Sequence, residues 1–273
     1  DPIKQLFDYT SYIVFDRLIN IPFKNMYLVV LPKYFSLDLV GLYYFSEKLR
    51  DSITNLTLSA LKKSTFPALA KVQKDQDSLK KSFRELIKVS TFLYFPILVF
   101  LIYFSEIIFL ELLPTKWLGA SHYFQILCLT ILFMPINEFC LQSILVKGLS
   151  KRFFYIGLLK KAITVLIFLN TVQIGIEAIL YGQLAASLFN SMINIYFTKS
   201  ILGYSFKKCL SDILPNAIVA FISFLLLHGL GSLLNFQGLV SIILYASAYF
   251  GIYLFIAFYF KLSSFIKLRS YIL

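Results

Sequence analysis

Long apolar runs recur along this chain, and charged residues gather between them. An α-helix needs about 20 apolar residues to cross a bilayer, and a continuous run of that length reads as a membrane span. Eight runs meet this description: 7–31, 39–61, 91–112, 119–146, 153–172, 177–198, 215–234 and 238–260. The first two are the least apolar. The predicted fold is all-α, a polytopic membrane helix bundle.

The basic residues sit in every second connection. Lys4 precedes the first span. Lys62, Lys63, Lys71, Lys74, Lys80, Lys81, Arg84 and Lys88 follow the second. Lys147, Lys151, Arg152, Lys160 and Lys161 follow the fourth, Lys199, Lys207 and Lys208 the sixth, and Lys261, Lys267 and Arg269 the eighth. The alternate connections hold only Lys33 and Lys116. An excess of Lys and Arg marks the cytoplasmic side. Both ends of the segment are therefore expected in the cytoplasm, and an even number of spans agrees. The expected location is the cytoplasmic (inner) membrane.

Composition supports the membrane reading. Of 273 residues, 59% are hydrophobic and 15% charged, too apolar to cover a water-exposed surface. The net charge of +12 raises the question of nucleic acid, most pointedly at the dense run Lys62 to Lys88. Flanking apolar spans favour anionic lipid headgroups instead, so membrane lipids are expected partners and nucleic acid is not. The chain opens Asp1-Pro2 and reads as a fragment of a longer protein. Cys128 and Cys140 lie 12 residues apart on one predicted helix, too far to bridge, and Cys209 is separate. His122 and His228 fall on different spans, so no metal and no cofactor is expected. There is no phosphate loop, no HExxH and no nucleophile elbow, and the chain is not read as an enzyme.

Two connections have their own pattern. Pro67 is expected to end the second helix at Ser64-Thr65-Phe66. Asp77 or Ser78 caps the next, which begins amphipathic through Leu79, Phe83 and Leu86, running along the surface before entering the membrane. A second surface helix is expected over 204–214, with Tyr204, Phe206, Leu210 and Ile213 toward lipid and Pro215 opening the seventh span.

Charges inside spans carry the functional signal. Asp16 and Arg17 fall mid-way along the first span, where Arg17, Asn20 and Lys24 share a face. In the second, Tyr44, Lys48, Asp51 and Asn55 form a stripe bordered by Glu47 and Arg50. Glu138 follows Pro135 in the fourth. Facing lipid, these eight charges would cost on the order of 20 kcal/mol in all. They are expected to face a wet cavity or one another: a polar cavity for a charged or sugar-bearing cargo, or internal ion pairs that set packing. Pro22 and Pro135 are expected to bend their helices beside these residues. Spans five to eight are read as an uncharged outer shell.

The order Leu39-Val40-Gly41-Leu42-Tyr43-Tyr44, Phe66-Pro67-Ala68-Leu69-Ala70-Lys71-Val72-Gln73, Phe95-Pro96-Ile97, Leu112-Leu113-Pro114-Thr115-Lys116-Trp117, Lys147-Gly148-Leu149-Ser150-Lys151 and Gly175-Ile176-Glu177-Ala178 resembles the polysaccharide transporter family. These are oligosaccharide-lipid flippases of the multidrug/oligosaccharidyl-lipid/polysaccharide superfamily. The likeness covers roughly residues 6–200 and departs at Asn25-Met26-Tyr27, where members often carry an acid. It implies that 1–200 is the second six-helix lobe and 201–273 an amphipathic helix with two additional transmembrane helices. A missing N-terminal lobe of the same protein would be the other partner. The implied cargo is an undecaprenyl-diphosphate-linked oligosaccharide, with Arg17, Lys24, Lys48, Arg50, Asn20 and Tyr44 as candidate substrate-binding residues. Asp16, Glu47, Asp51 and Glu138 are candidates for ion coupling, the feature of a rival drug or cation antiporter. A membrane polysaccharide polymerase and a purely structural subunit are further alternatives. Short outer connections speak against the polymerase.

Overall fold

The computed structural model describes residues 2–231 and 238–272. Ten α-helices follow one another: α1 (Pro2–Tyr34), α2 (Leu37–Lys71), α3 (Gln76–Leu112), α4 (Ala120–Thr130), α5 (Met134–Val146), α6 (Ser150–Thr171), α7 (Ile176–Leu202), α8 (Phe206–Gly231), α9 (Leu239–Tyr259) and α10 (Ser263–Ile272). No strand occurs among the described residues. The predicted spans fall on these helices, the fourth on α4 and α5 together. The stretch 232–234, assigned from sequence to the seventh span, lies outside the described residues. By length and apolarity α3, α4 with α5, α6, α8 and α9 each suffice to cross a bilayer. The other three, α1, α2 and α7, are as long but interrupted by polar side chains. The chain is a multi-pass membrane protein.

Local chemistry moved several expected boundaries. Pro67 does not stop α2, which continues to Lys71. The cap of α3 is Asp75, two or three residues earlier than expected, and its carboxylate accepts from the Asp77 amide at 3.1 Å and from the Ser78 hydroxyl. From there α3 runs unbroken for 37 residues, about 55 Å. A bilayer core is about 30 Å thick. The first turns therefore project beyond the core as part of the same helix, with no separate surface segment. The fourth span breaks at Ile131–Phe133, so Cys128 and Cys140 stand on different helices, and Pro135 occupies the first turn of α5, where its missing N–H costs nothing. All three cysteines are free and buried.

The expected surface helix at 204–214 is also replaced. From Phe206 it forms the opening of α8, which passes through Pro215 without ending. Tyr204 and Ile213 do not face lipid; they are buried against α3. The reason is Asp212. Its carboxylate accepts from Arg84 Nε at 2.8 Å and from a terminal guanidinium nitrogen at 2.7 Å, with Lys88 Nζ at 3.4 Å. A bidentate pair with a fully buried acid fixes α8 onto α3. One turn on, Asn216 Nδ2 donates to the Lys88 carbonyl and to Thr91 Oγ1, both at 2.9 Å. Asp212→Ala is expected to destabilise the protein by about 2–3 kcal/mol, below the full cost of breaking a buried pair because the Arg84 side chain is 35% exposed. Thermal unfolding in detergent would show it, with Lys207→Ala unchanged.

The core is built around α3. Phe83, Phe92, Phe95 and Phe109 pack with Phe124 of α4, Phe139 of α5, Ala220 of α8 and Tyr253 of α9. Lipid tails are as apolar as these side chains, so association rests on close packing and interhelical hydrogen bonds of about 0.6 kcal/mol each. Such bonds recur: Ser46 Oγ to the Ala120 carbonyl at 2.8 Å, Tyr253 to the Phe92 carbonyl at 2.8 Å, and Asn194 Nδ2 to Asn137 Oδ1 at 2.8 Å. A second cluster joins Leu31 of α1, Tyr43 of α2, Leu127 of α4, Phe168 of α6 and Leu180 of α7. The two clusters leave one face of α1 and α2 without a helical neighbour among the described residues: Val14, Phe15, Leu18, Ile21, Leu28 and Leu56 are all exposed.

Candidate functional site

Polar residues of the first two helices enter two separate recesses. The first, about 230 Å³, lies where α1 meets α6, with α5 and α7 behind. Asp16 forms its anionic centre. Its Oδ1 accepts from Lys161 Nζ at 2.5 Å and its Oδ2 from Asn20 Nδ2 at 2.8 Å. Only 10% of the Asp16 side chain and 12% of the Lys161 side chain remain exposed. Lys160 lines the same recess, as does Asn190, whose Oδ1 is buried without a hydrogen-bond partner. Two cations and one carboxylate make its lining net positive, and the charge of Glu138 on α5 also acts on Lys160.

These lysines correct the sequence reading. The basic pattern of the sequence places Lys160 and Lys161 in a cytoplasmic connection and leaves spans five to eight uncharged inside. The two residues instead sit half-way along α6, and Lys161 pairs with an acid 145 positions earlier. A signal was present: both fall inside the apolar run 153–172, opposite in sign to Asp16. Gly157 makes the approach possible. A Cβ there would lie 2.7 Å from Asp16 Oδ1, so any larger residue displaces the carboxylate.

The second recess, about 400 Å³, opens along α2 between α1 and α5. Arg50 stands at its centre. Its guanidinium donates to Asp51 Oδ1 at 2.7 and 3.1 Å and to Glu47 Oε1 at 3.2 Å. Glu47 also accepts from the Tyr43 hydroxyl at 3.3 Å, which in turn receives Gln183 Nε2 of α7 at 2.6 Å. Tyr44 and Asn55 complete the wall with Asn25 and Thr54. Two acids around one arginine make this recess net negative, the reverse of its neighbour.

The remaining candidates are dispersed. Arg17 and Lys48 are exposed on α1 and α2 and line neither recess. Glu138 lies on α5, where its Oε1 accepts from Gln142 Nε2 at 3.2 Å, and it borders neither recess. The Lys24 side chain lies outside the described residues. Among the described residues no three His, Cys, Asp or Glu side chains come together as a metal site.

Residues 1–122 match a family model described as polysaccharide biosynthesis protein. The chain is also 22% identical over 225 residues to a Klebsiella pneumoniae protein described as an uncharacterized membrane protein in cps region. The match to the Klebsiella protein covers 81% of this chain but 45% of the relative, so the chain spans about half the relative's length. The family match takes in α1, α2 and α3 and stops in α4, before the α6 lysines that complete the first recess.

Proposed function

We propose that this chain acts in polysaccharide biosynthesis, as one lobe of a flippase that moves an undecaprenyl-diphosphate-linked oligosaccharide across the cytoplasmic membrane. The observation that carries this reading is the recess at α1 and α6, whose lining holds Lys160 and Lys161. A diphosphate wants several cations at hydrogen-bonding distance. Lys160, Lys161, Asn20 and Arg17 offer donors along one helix pair, while the polyprenyl tail stays in the bilayer. Arg50 has Nε and one terminal nitrogen committed to Glu47 and Asp51, and in this reading it holds the second wall together rather than meeting phosphate first. A missing N-terminal lobe would close the face that α1 and α2 leave open.

A deletion strain tests the reading. Loss of a flippase is expected to leave single-repeat lipid-linked oligosaccharide in the membrane, shielded from glycosidase added outside intact cells. Loss of a polymerase would leave the same single repeats accessible. Accessible single repeats, or no lipid-linked repeat at all, would overturn the flippase assignment.

One observation favours the ion-coupled antiporter as the second reading. Glu47 and Asp51 share a single arginine, and a recess with surplus carboxylate suits a proton or a small cation. Export of drug or cation that follows an imposed sodium or proton gradient would favour it.

A further inference from the structure

A third and larger recess is used by neither wall of the proposed cargo path. It is a groove of about 1010 Å³ between the start of α6 and the end of α7. On α6 it is lined by residues 151, 152, 155, 156 and 159, one face of the helix. Lys160 and Lys161 point from the opposite face toward α1. On α7 its wall is Tyr196, Phe197, Lys199 and Ser200.

Charge and polarity are graded along this groove. At one end stand Lys151, Arg152 and Lys199, all exposed, and its lining contains no carboxylate. Lys151 and Arg152 lie in the first turn of α6, where no side chain caps the helix, and the dipole adds positive potential. Deeper along the same face come Tyr155, Leu159 and Tyr196, with Tyr155 54% and Tyr196 71% exposed. Tyrosines at such a boundary have an apolar ring for acyl chain and a hydroxyl for the headgroup layer. The three cations fall in connections predicted to face the cytoplasm.

We propose that this groove is a binding site for one anionic phospholipid of the surrounding leaflet. Its phosphodiester is held by Lys151, Arg152 and Lys199, and one acyl chain lies along Tyr155, Leu159 and Tyr196. Charge complementarity selects the occupant: three cations with no acidic partner among the described residues, at one end of an apolar trough on a lipid-facing helix pair. A zwitterionic lipid brings its own cation to the same place and gains less. Each Lys or Arg near an anionic surface contributes about 1 kcal/mol, so three distinguish an anionic from a zwitterionic headgroup by tenfold or more.

The test uses the full-length protein, purified in mild detergent and given equal amounts of phosphatidylglycerol and phosphatidylcholine. Native mass spectrometry reads the ratio of the two lipids retained. The wild type is expected to keep phosphatidylglycerol about tenfold over phosphatidylcholine. Lys151→Gln/Arg152→Gln/Lys199→Gln is expected to bring that ratio close to one. A control of equal charge change, Lys71→Gln/Lys74→Gln/Lys207→Gln, should leave it in place. A wild-type ratio near one overturns the site, and so does a control that loses as much as the triple variant, since that would mean diffuse surface charge. If the triple variant does not purify, Arg152→Gln alone should lower the ratio about threefold, and an unchanged ratio overturns the proposal equally.

Discussion

Asp16→Ala is expected to destabilise the protein by about 3–5 kcal/mol, the largest loss from any single change considered for the described helices. The carboxylate is nearly buried and holds α1 to α6 through Lys161 at 2.5 Å and to its own helix through Asn20 at 2.8 Å. Removing it leaves Lys161 charged and unpaired in a recess that already contains Lys160. The loss is mostly the penalty of that stranded cation rather than the worth of the pair. Asp16→Ala combined with Lys161→Met should therefore recover a substantial part of the stability, with a coupling of about 1.5–3 kcal/mol in the double-mutant cycle. Gly157→Ala should behave like a weaker Asp16→Ala, because its Cβ would lie 2.7 Å from Oδ1 and push the carboxylate away, and its effect should nearly vanish in the Asp16→Ala background. Unfolding curves of the full-length protein in detergent would measure all four. Additive losses would mean that α1 is held to α6 by other contacts.

The second large effect concerns transport. Arg17→Gln and Lys160→Gln are each expected to reduce surface polysaccharide about tenfold at matched membrane expression, while Lys74→Gln has little effect. Lys160, shielded in its recess, meets phosphate oxygens with little screening, and the Arg17 guanidinium can bind them bidentately, whereas an exposed loop lysine contributes about 1 kcal/mol of headgroup attraction. Arg50→Gln should also reduce export, but by a different route. It frees Glu47 and Asp51 from their shared partner, so its loss of export should come with a lower unfolding temperature. Arg17 is exposed and bonded to neither recess, so Arg17→Gln should lower export at unchanged stability. Normal display for both Arg17→Gln and Lys160→Gln would return the internal charges to a role in helix packing.

Residue order alone determined the helical membrane architecture. A helix that must satisfy all its backbone groups inside lipid needs a long apolar run, and each such run can be read locally. The polar character of α1 and α2 was legible for the same reason: Asp16, Arg17, Glu47, Lys48, Arg50 and Asp51 interrupt apolar runs whose periodicity shows which of them share a face. Within α2 the stripe residues Tyr44, Asp51 and Asn55 line one recess with Arg50 and Glu47, while Lys48 of the same stripe lies outside it.

Contacts between helices were decided only by the tertiary structure. Pro67 and Pro215 read as boundaries, yet both lie inside helices, and at 204–214 the packing of Tyr204, Ile213 and Asp212 on α3 outweighed the local preference. The division of the charges into a positive recess and a negative one depends on α6 approaching α1 across Gly157, so that Lys161 reaches an acid 145 residues away. Local periodicity tells which face of a helix is polar. Which helix answers that face is set by close packing over the whole bundle, because lipid and apolar side chains attract a helix almost equally and only steric fit and a few buried polar bonds choose between them.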